Sequence, residues 1–283
     1  YKPEHVGFLR RLASLIGYGG AVPGIQISHA GRKASSQRPW EGGRALLPED
    51  GGWTALAPSA IPFHDNSPLP HAMTPAEMHG IVTEFAASAR MAREAGFKVV
   101  EVHAAHGYLL HSVLSPISNT RNDGYGGDLA GRARMLMEVI DAVRAEWPDE
   151  LPLFVRLSCT DWMPGGLVPD DAVQIGRWLK ARGDVDLVDC SAGGVSPAAR
   201  IPSVHPGYQV PYADRVRAGA GIATGAVGMI RSPELAAEIV ANGRADLVFV
   251  GRAVLADPAW TLRAAEALGV TLELPSQYKR SRA

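Results

Sequence analysis

Short apolar runs recur along the chain, and a turn or a polar loop follows each of them. Their β-branched residues are continuous and do not alternate with polar ones, which is typical of strands buried on both faces of a parallel sheet. Segments with helical periodicity lie between the runs, so the pattern predicts right-handed βαβ units. The predicted strands are GIQISHA (24–30), FKVVEVH (97–103), LPLFVRLS (151–158), DLVDCS (186–191), GIATGAV (221–227) and DLVFVG (246–251).

The predicted helices carry start and stop signals. The residues TPAE (74–77) combine an N-cap threonine, a proline at the first helical position and a capping-box glutamate, and we expect this helix to end near Gly96. Ser232 opens another helix, which should stop at the Asn-Gly pair 242–243. The first residues, YKPEHVGFLRRLASLIG, read as a helix that precedes the first strand.

Six predicted strands are too few to close a barrel, which needs eight. Because a helix precedes the first strand, we expect an α/β TIM barrel of the (β/α)8 type whose first two βα units, of about 30 residues each, are missing from this chain. An open doubly wound sheet is the alternative, but no GxGxxG or Walker-type loop follows any predicted strand. We expect residues 1–283 to form one barrel domain, with the insertion 31–72 as a loop over its C-terminal face.

The balance of charges limits the expected partners. The chain has 28 Lys and Arg against 29 Asp and Glu, and no sustained basic run, so neither nucleic acid nor a membrane surface is an expected partner. The expected ligand is a small molecule. No apolar run approaches the roughly 20 residues that span a bilayer. Cys159 and Cys190 lie in or next to strand-type runs without metal-site spacing, and we expect a cytoplasmic protein with no bound metal.

The polar residues at the C-terminal ends of barrel strands are candidate site residues, because those ends converge on one pocket. Within EVHAAHGYLLH, the pair His103 and His106 can aim two N–H donors at one oxygen, and Tyr108 can supply a proton. A metal site is disfavoured because only Glu101 and His111 could add ligands. Histidines that merely satisfy backbone groups are the other alternative.

A cation and two glycine-rich turns complete this set. Arg156 is either a fixed cation facing an electron-rich ligand or half of an internal salt bridge, because a charged side chain within a strand is costly unless it is paired. Gln26 either contacts the ligand or holds neighbouring backbone. The turns TGAVGM (224–229) and VGRAVLADP (250–258) can bind phosphate through backbone N–H groups or can simply be tight turns, and Arg252 adds a bidentate donor. An aromatic phosphate cofactor fits these parts; FMN fits better than pyridoxal phosphate, because no lysine is available at a strand end.

At these residues the chain resembles the old yellow enzyme family, and it is most similar to the bacterial branch that includes the xenobiotic reductases and the thermophilic-like ene-reductases. The similar segments stand in the family order and cover essentially the whole chain. They are HAGRK (29–33), VHAAHGYLLHSVLSPISNTRNDGYGG (102–127), FVRLS (154–158), ATGAVGM (223–229) and NGRADLVFVGRAVLADP (242–258). In the family element Y-G-G-S-x-x-N-R, Asp128 replaces the serine and Gly131 the asparagine, whereas Arg132 is retained.

The resemblance implies a role for each candidate around the substrate. Gln26 and Arg156 would contact the pyrimidine edge of FMN. His103 and His106 would hold the carbonyl oxygen of the substrate, and Tyr108 would donate the proton.

The resemblance also implies contacts with the rest of the cofactor and with a second subunit. Ser191, Gly228, Gly251 and Arg252 would lie near the ribityl and phosphate groups of FMN. Arg280 would reach the site of a neighbouring subunit in a homodimer or homotetramer.

The activity that the resemblance implies is that of an ene-reductase of the NADPH dehydrogenase type. Hydride would pass from NAD(P)H through FMN to the activated C=C bond of an α,β-unsaturated carbonyl compound. A phosphate-binding aldolase or isomerase would need a lysine or glutamate at a strand end, and none is well placed. The remaining alternative is a non-catalytic barrel fragment that does not retain FMN.

Overall fold

The computed structural model describes residues 2–273 and 276–278. Six parallel strands form one sheet, in which spatial order follows chain order. The predicted strands are therefore all present, with ends shifted by a few residues. The strands of this sheet are β1 (Gly24–Ile27), β4 (Val99–Ala104), β5 (Leu153–Ser158), β6 (Leu187–Ser191), β7 (Ala223–Ala226) and β8 (Leu247–Val248), whereas β2 (Leu56–Ala57) and β3 (His71–Ala72) pair with each other in the insertion.

Helices alternate with the strands of the main sheet, as the βαβ pattern predicts. In the described part of the chain, no helix is both long and apolar enough to cross a membrane. The helices are α1 (Val6–Tyr18), α2 (Pro75–Glu94), α3 (Leu109–Leu114), α4 (Leu129–Glu146), α5 (Pro169–Arg182), α6 (Val210–Ala220), α7 (Pro233–Ala241), α8 (Arg252–Ala256) and α9 (Trp260–Ala267).

The main core lies between the sheet and the helices. Val102, Val155 and Val188 are paired in register across three neighbouring strands, and all three are fully buried. Phe85 of α2 and Ile140 of α4 belong to the same buried cluster. Because successive side chains of a strand point to opposite faces, the residues between these valines face the interior of the curved sheet.

The start signals read from the sequence are confirmed by the caps of α2 and α7. The Thr74 hydroxyl accepts a hydrogen bond from the Glu77 N–H at 3.2 Å, and the Glu77 carboxylate accepts one from the Thr74 N–H at 2.7 Å, which completes a capping box. Ser232 caps α7 by accepting from the N–H of Leu235 at 3.2 Å. Both α2 and α7 end within two residues of their predicted stops.

The two positions that depart from the family element have a structural explanation at the start of α4. A carboxylate oxygen of Asp128 accepts a hydrogen bond from the Gly131 N–H at 2.8 Å, so aspartate replaces serine as the N-cap. A Cβ atom added at Gly131 would lie 2.2 Å from the carbonyl oxygen of Gly126, so no side chain fits there without a backbone shift. Arg132 donates to the Leu114 carbonyl at 2.7 Å.

The Asp128 cap leads to a stability prediction. We expect Asp128→Ala to lower the free energy of unfolding by about 1 kcal/mol, because one helix N–H loses its acceptor. Asp128→Ser should cost much less, because a serine hydroxyl is an equally good cap. Urea unfolding followed by circular dichroism measures both values, and equal losses for the two variants would contradict a capping role.

Candidate active site

A row of polar side chains crosses the interior face of the sheet. His103 of β4 pairs in register with Arg156 of β5, and Arg156 pairs with Asp189 of β6. Two residues earlier on β4, Glu101 is in register with Gln26 of β1. Since in-register positions of parallel strands direct their side chains to the same face, the sheet itself brings these five residues together.

The predicted histidine pair and its tyrosine lie in contact at the end of β4. The rings of His103 and His106 have centroids 5.1 Å apart, and the centroids of His103 and Tyr108 are 5.3 Å apart. His103 is buried, and its Nδ1 atom has no hydrogen-bond partner among the described residues. An unpaired buried ring nitrogen is costly to leave without a ligand, which makes this group a candidate site.

Both histidines are neutral at pH 7. Burial, reinforced by the positive charge of Arg156, lowers the pKa of His103 to about 4 and the pKa of His106 to about 3. A neutral imidazole carries one N–H, so each ring can donate one hydrogen bond without adding a charge.

The turn that carries His106 and Tyr108 is held through its backbone. His106 has a positive φ of 58°, which is uncommon for a residue with a side chain. Its N–H donates to the Ser158 hydroxyl at 2.9 Å, and its carbonyl accepts from the Lys33 ammonium at 2.9 Å. Ser158 in turn donates to the carbonyl of Gly193 at 2.9 Å. Lys33 thereby ties the insertion to the turn, a contact that the sequence did not reveal.

Behind this turn lies a fully buried histidine–carboxylate hydrogen bond that sequence reasoning missed. The Gly107 N–H donates to Nδ1 of His111 at 2.7 Å, and Nε2 of His111 lies 2.9 Å from a carboxylate oxygen of Asp161. Because Nδ1 is the acceptor, Nε2 carries the proton and donates to Asp161. Ser115 donates to the same carboxylate at 2.6 Å, and the Leu167 N–H does so at 2.8 Å. His111 therefore supports this turn, with both of its ring nitrogens bonded within the protein.

Arg156 proves to be both an internal ion pair and a lining residue of a cleft. Its Nε lies 3.0 Å from Oδ2 of the buried Asp189, but the N–H is not aligned on that oxygen, so the contact lacks a hydrogen bond. Burial raises the pKa of Asp189 to about 7, although Arg156 opposes this shift. Burial also raises the pKa of Glu101, which accepts a hydrogen bond from Gln26 at 2.6 Å.

The cleft has a volume of about 350 Å³, within the range of small-molecule sites. His106 and Arg156 line it together with the glycine-rich turns after β7 and β8. Gly228 has φ +127°, and a Cβ atom there would lie 3.1 Å from Gln209. Because glycine has no side chain, it adopts this conformation without strain and lets a ligand approach its backbone closely. Four of the residues predicted to bind the cofactor therefore lie at one cleft: Arg156, Gly228, Gly251 and Arg252.

An FMN group is compatible with this lining. Arg231 and Arg252 both line the cleft beside the glycine turns, and neither pairs with an acidic side chain within residues 2–273 and 276–278. Two cations without acidic partners suit a phosphate, and Arg156 suits the electron-rich edge of an aromatic ring. The cleft lining thus carries cations both at Arg156 and beside the glycine turns.

Four predicted residues in the described part of the chain do not line the cleft. His103 and Tyr108 lie beside it, in contact with each other, and His103 also contacts the lining residue His106. The other two are Ser191 and Gln26. The hydroxyl of Ser191 is buried and donates to the Leu157 carbonyl at 2.9 Å, so it is used within the sheet. Gln26 is exposed on the outer strand, with its amide N–H turned to Glu101. Arg280 lies outside the described residues. The roles proposed for Ser191, Gln26 and Arg280 stay predictions.

The sequence matches a family model and several curated proteins over nearly its whole length. The model described as the NADH:flavin oxidoreductase / NADH oxidase family matches residues 1–270. The NADPH dehydrogenase of Geobacillus thermodenitrificans is 50% identical over 277 residues, which cover 98% of this chain and 76% of that protein. The NADPH dehydrogenase of Listeria innocua is 46% identical over 281 residues, covering 99% of this chain and 77% of that protein.

Solved structures with the same fold include two reductases. A 2-naphthoyl-CoA reductase in complex with 2-naphthoyl-CoA superposes with a TM-score of 0.82 at 30% identity; the match covers 95% of this chain and 41% of that one. Morphinone reductase in complex with tetrahydroNAD superposes with a TM-score of 0.73 at 23% identity, covering 98% of this chain and 74% of that one. At that lower identity the likeness shows the fold alone.

Proposed function

The chain belongs to the NADH:flavin oxidoreductase / NADH oxidase family, and we propose that it reduces the activated C=C bond of α,β-unsaturated carbonyl compounds. The coarser assignment follows from the family: the chain is an NAD(P)H-dependent oxidoreductase with FMN as its cofactor. The predicted resemblance to the old yellow enzyme family is confirmed, and so is the TIM-barrel fold class. The ene-reductase activity is the part that we propose.

The observation that carries the proposal is the contact of His103 with both His106 and Tyr108, where His106 lines the same cleft as Arg156. Two neutral N–H donors aimed at one carbonyl oxygen stabilise the negative charge that develops there when hydride adds to the conjugated β-carbon. A phenol next to the pair can donate a proton to the neighbouring α-carbon. An aldolase or isomerase would use different groups.

The cleft residues would hold the cofactor. When bound, FMN supplies the two-electron chemistry, accepting hydride from NAD(P)H and passing it to the alkene. Gly228, Gly251 and Arg252 would bind its phosphate end, and Arg156 would face the pyrimidine edge, where a fixed cation stabilises negative charge. Gln26 and Ser191 are proposed as further contacts, to the pyrimidine edge and the ribityl chain.

Anaerobic absorbance spectroscopy tests the proposed function directly. The purified protein should be yellow, should bleach when NADPH is added without oxygen, and should regain its colour when cyclohexenone follows. A colourless protein would instead support the alternative of a non-catalytic fragment that does not retain FMN. Bleaching without recovery by cyclohexenone would leave an NAD(P)H-dependent flavin oxidoreductase and remove the ene-reductase proposal.

Replacing the tyrosine separates proton donation from carbonyl binding. We expect Tyr108→Phe to slow reoxidation by cyclohexenone about 10²-fold, the lower end of the range for a positioned acid, because solvent can also supply a proton. Bleaching by NADPH should change little, because that step takes no proton from Tyr108. Stopped-flow absorbance measures both half-reactions, and unchanged reoxidation would exclude Tyr108 as the donor.

The subunit arrangement is also a proposal. In a homodimer or homotetramer, Arg280 would reach a neighbouring site and help to bind the substrate. A cytoplasmic location likewise stays a prediction.

A further inference from the structure

Two buried carboxylates lie near Arg156, and the proposed reaction gives neither of them a role. Asp189 is fully buried, and Glu101 is 8% exposed. Both face the interior of the sheet in register with residues already assigned to the site, Arg156 and Gln26. Burying two carboxylates beside one cation is costly, so the arrangement calls for an explanation.

Asp189 has fewer hydrogen bonds than Glu101. Its Oδ2 atom lies 3.0 Å from Nε of Arg156, but neither carboxylate oxygen accepts a hydrogen bond from any described residue. Glu101, in contrast, accepts a hydrogen bond from Gln26 at 2.6 Å. A buried carboxylate without hydrogen-bond donors is poorly held in its charged form, so its protonation state responds to the charges around it.

Charged and titratable groups surround Asp189 on the neighbouring strands. From β5 it faces the guanidinium of Arg156, and from β4 it faces the carboxylate of Glu101. Its in-register neighbour on β7 is Gly225, and that strand, Ala223–Ala226, carries no titratable side chain. Cys190 follows Asp189 on β6, and its buried thiol donates to the Val188 carbonyl at 3.6 Å. Arg156 therefore connects Asp189 to the cleft.

The charge on Asp189 changes the electrostatic field that Arg156 exerts in the cleft. Arg156 lines the cleft, and its positive charge favours electrons on a ring bound there. An ionised Asp189 cancels part of that field, whereas a protonated Asp189 leaves it intact. Negative charge arriving at the ring also favours protonation of Asp189, because the two negative charges repel each other. Reduction and protonation are thus coupled.

We propose that Asp189 tunes the reduction potential of bound FMN through Arg156 and that reduction of FMN favours the uptake of a proton from solvent by the Asp189 carboxylate. The inference rests on the proposed function only for the placement of FMN against Arg156. The balance is simple: hydride brings two electrons and one proton to the ring, and a second proton forms an O–H bond on the Asp189 carboxylate. Asp189 touches neither FMN nor substrate and is a positioning residue for the charge of Arg156.

The pKa of Asp189 lies near neutral pH. Burial raises its pKa to about 7, Arg156 lowers it and Glu101 raises it further. Both forms of the carboxyl group are therefore populated near neutral pH. The effect of Asp189 on the potential should accordingly be present above pH 7 and fade as the pH falls below it.

The test is the midpoint potential of bound FMN in Asp189→Asn, measured against a reference dye during slow anaerobic reduction at pH 5.5 to 8.5. At pH 8.5 we expect the variant to favour reduced FMN about tenfold more than the parent, about 30 mV for a two-electron couple. At pH 5.5, where the parent carboxyl group is protonated, the difference should vanish. A shift that is equal at every pH, or no shift, would overturn the proposal.

Three further variants are controls for side-chain shape, for charge elsewhere on the protein and for the second buried carboxylate. Asp189→Ser, which is smaller and also uncharged, should give the same pH-dependent shift, and it replaces the asparagine variant if that protein does not fold or retain FMN. Asp141→Asn removes a carboxylate that also pairs with an arginine, Arg182 at 2.6 Å, but that is 64% exposed, and it should leave the potential unchanged. If Glu101→Gln alone reproduces the shift, the responsive carboxylate is Glu101 and the assignment to Asp189 is wrong.

The outcome distinguishes this inference from the proposed function. The potential is measured without any alkene, so a pH-dependent shift in a protein that does not reduce cyclohexenone would support the inference and remove the ene-reductase proposal. Equal potentials in the parent and Asp189→Asn, with normal reduction of cyclohexenone, would remove the inference about Asp189 and support the ene-reductase proposal.

Discussion

Replacing both His103 and His106 by alanine is expected to slow the reoxidation of reduced FMN by cyclohexenone by about 10²- to 10⁴-fold. One oxyanion donor contributes about 2.7–4 kcal/mol to lowering a barrier, and the pair should contribute roughly 3–6 kcal/mol, because such donors are not additive. The rings have centroids 5.1 Å apart, and burial beside Arg156 keeps both neutral. Their contribution is therefore hydrogen bonding to the carbonyl oxygen and not charge.

Stopped-flow absorbance under anaerobic conditions measures this loss. The double variant should still be yellow and should still bleach with NADPH, because the glycine turns and Arg156 are intact. His79→Ala, which removes an exposed histidine of α2, is the matched control and should react like the parent. Normal reoxidation of the double variant would contradict the proposed role of His103 and His106 in binding the carbonyl oxygen of the substrate.

The pH profile gives a second check. Because both histidine pKa values lie at about 4 or below, the parent reoxidation rate should show no titration from these rings above about pH 5.

Asp161→Ala is expected to lower the free energy of unfolding by about 3–5 kcal/mol. The carboxylate and its partner His111 are both fully buried, and the Leu167 N–H and the Ser115 hydroxyl share the same acceptor. Removing the carboxylate leaves these donors without a partner where water cannot replace it. The loss should also loosen the turn that carries His106, because His111 accepts from the Gly107 N–H.

The pH dependence of this contribution has a definite sign. Burial raises the pKa of Asp161, but the hydrogen bonds from His111, Ser115 and Leu167 outweigh it and hold the pKa below the ordinary value. The stabilisation is therefore fully present above the unfolded-state pKa of about 4 and is lost as the pH falls through the lower folded-state value.

Urea unfolding at pH 7 and at a series of lower pH values down to about pH 2 measures both effects. Asp214→Ala, which removes an exposed carboxylate from α6, is the control and should stay within about 0.5 kcal/mol of the parent. An unfolding free energy of Asp161→Ala within 1 kcal/mol of the parent would show that the buried network contributes little.

Much of the fold was predictable because its signals are local. The apolar runs located the strands of the main sheet, and the Thr74 and Ser232 caps located two helix starts. Each signal lies within a few residues of the element that it defines. The contact of the histidine pair with Tyr108 was predictable for the same reason, since three nearby residues on one turn cannot separate far.

The supports of the site were not predictable, because they join segments far apart in the chain. Asp161 lies 50 residues from His111, and Lys33 lies 73 residues from His106, so no spacing in the sequence connects them. The resemblance implies that Ser191 lies near the ribityl and phosphate groups of FMN, a role that stays a prediction. Its hydrogen bond to the Leu157 carbonyl could not be predicted, since the direction of a side chain depends on the twist and register of the sheet.

The sequence by itself determined the order of strands and helices, the polar groups that end the strands, and the family to which the chain belongs. It did so because hydrophobic period, capping residues and family motifs are properties of short segments. Only the tertiary structure decided that Arg156 has a buried carboxylate beside it, and that His111 supports the turn of His106. Those relations depend on which residues meet across the sheet, and hence on the register between strands and on burial, which raises the pKa of Asp189 and lowers those of His103 and His106.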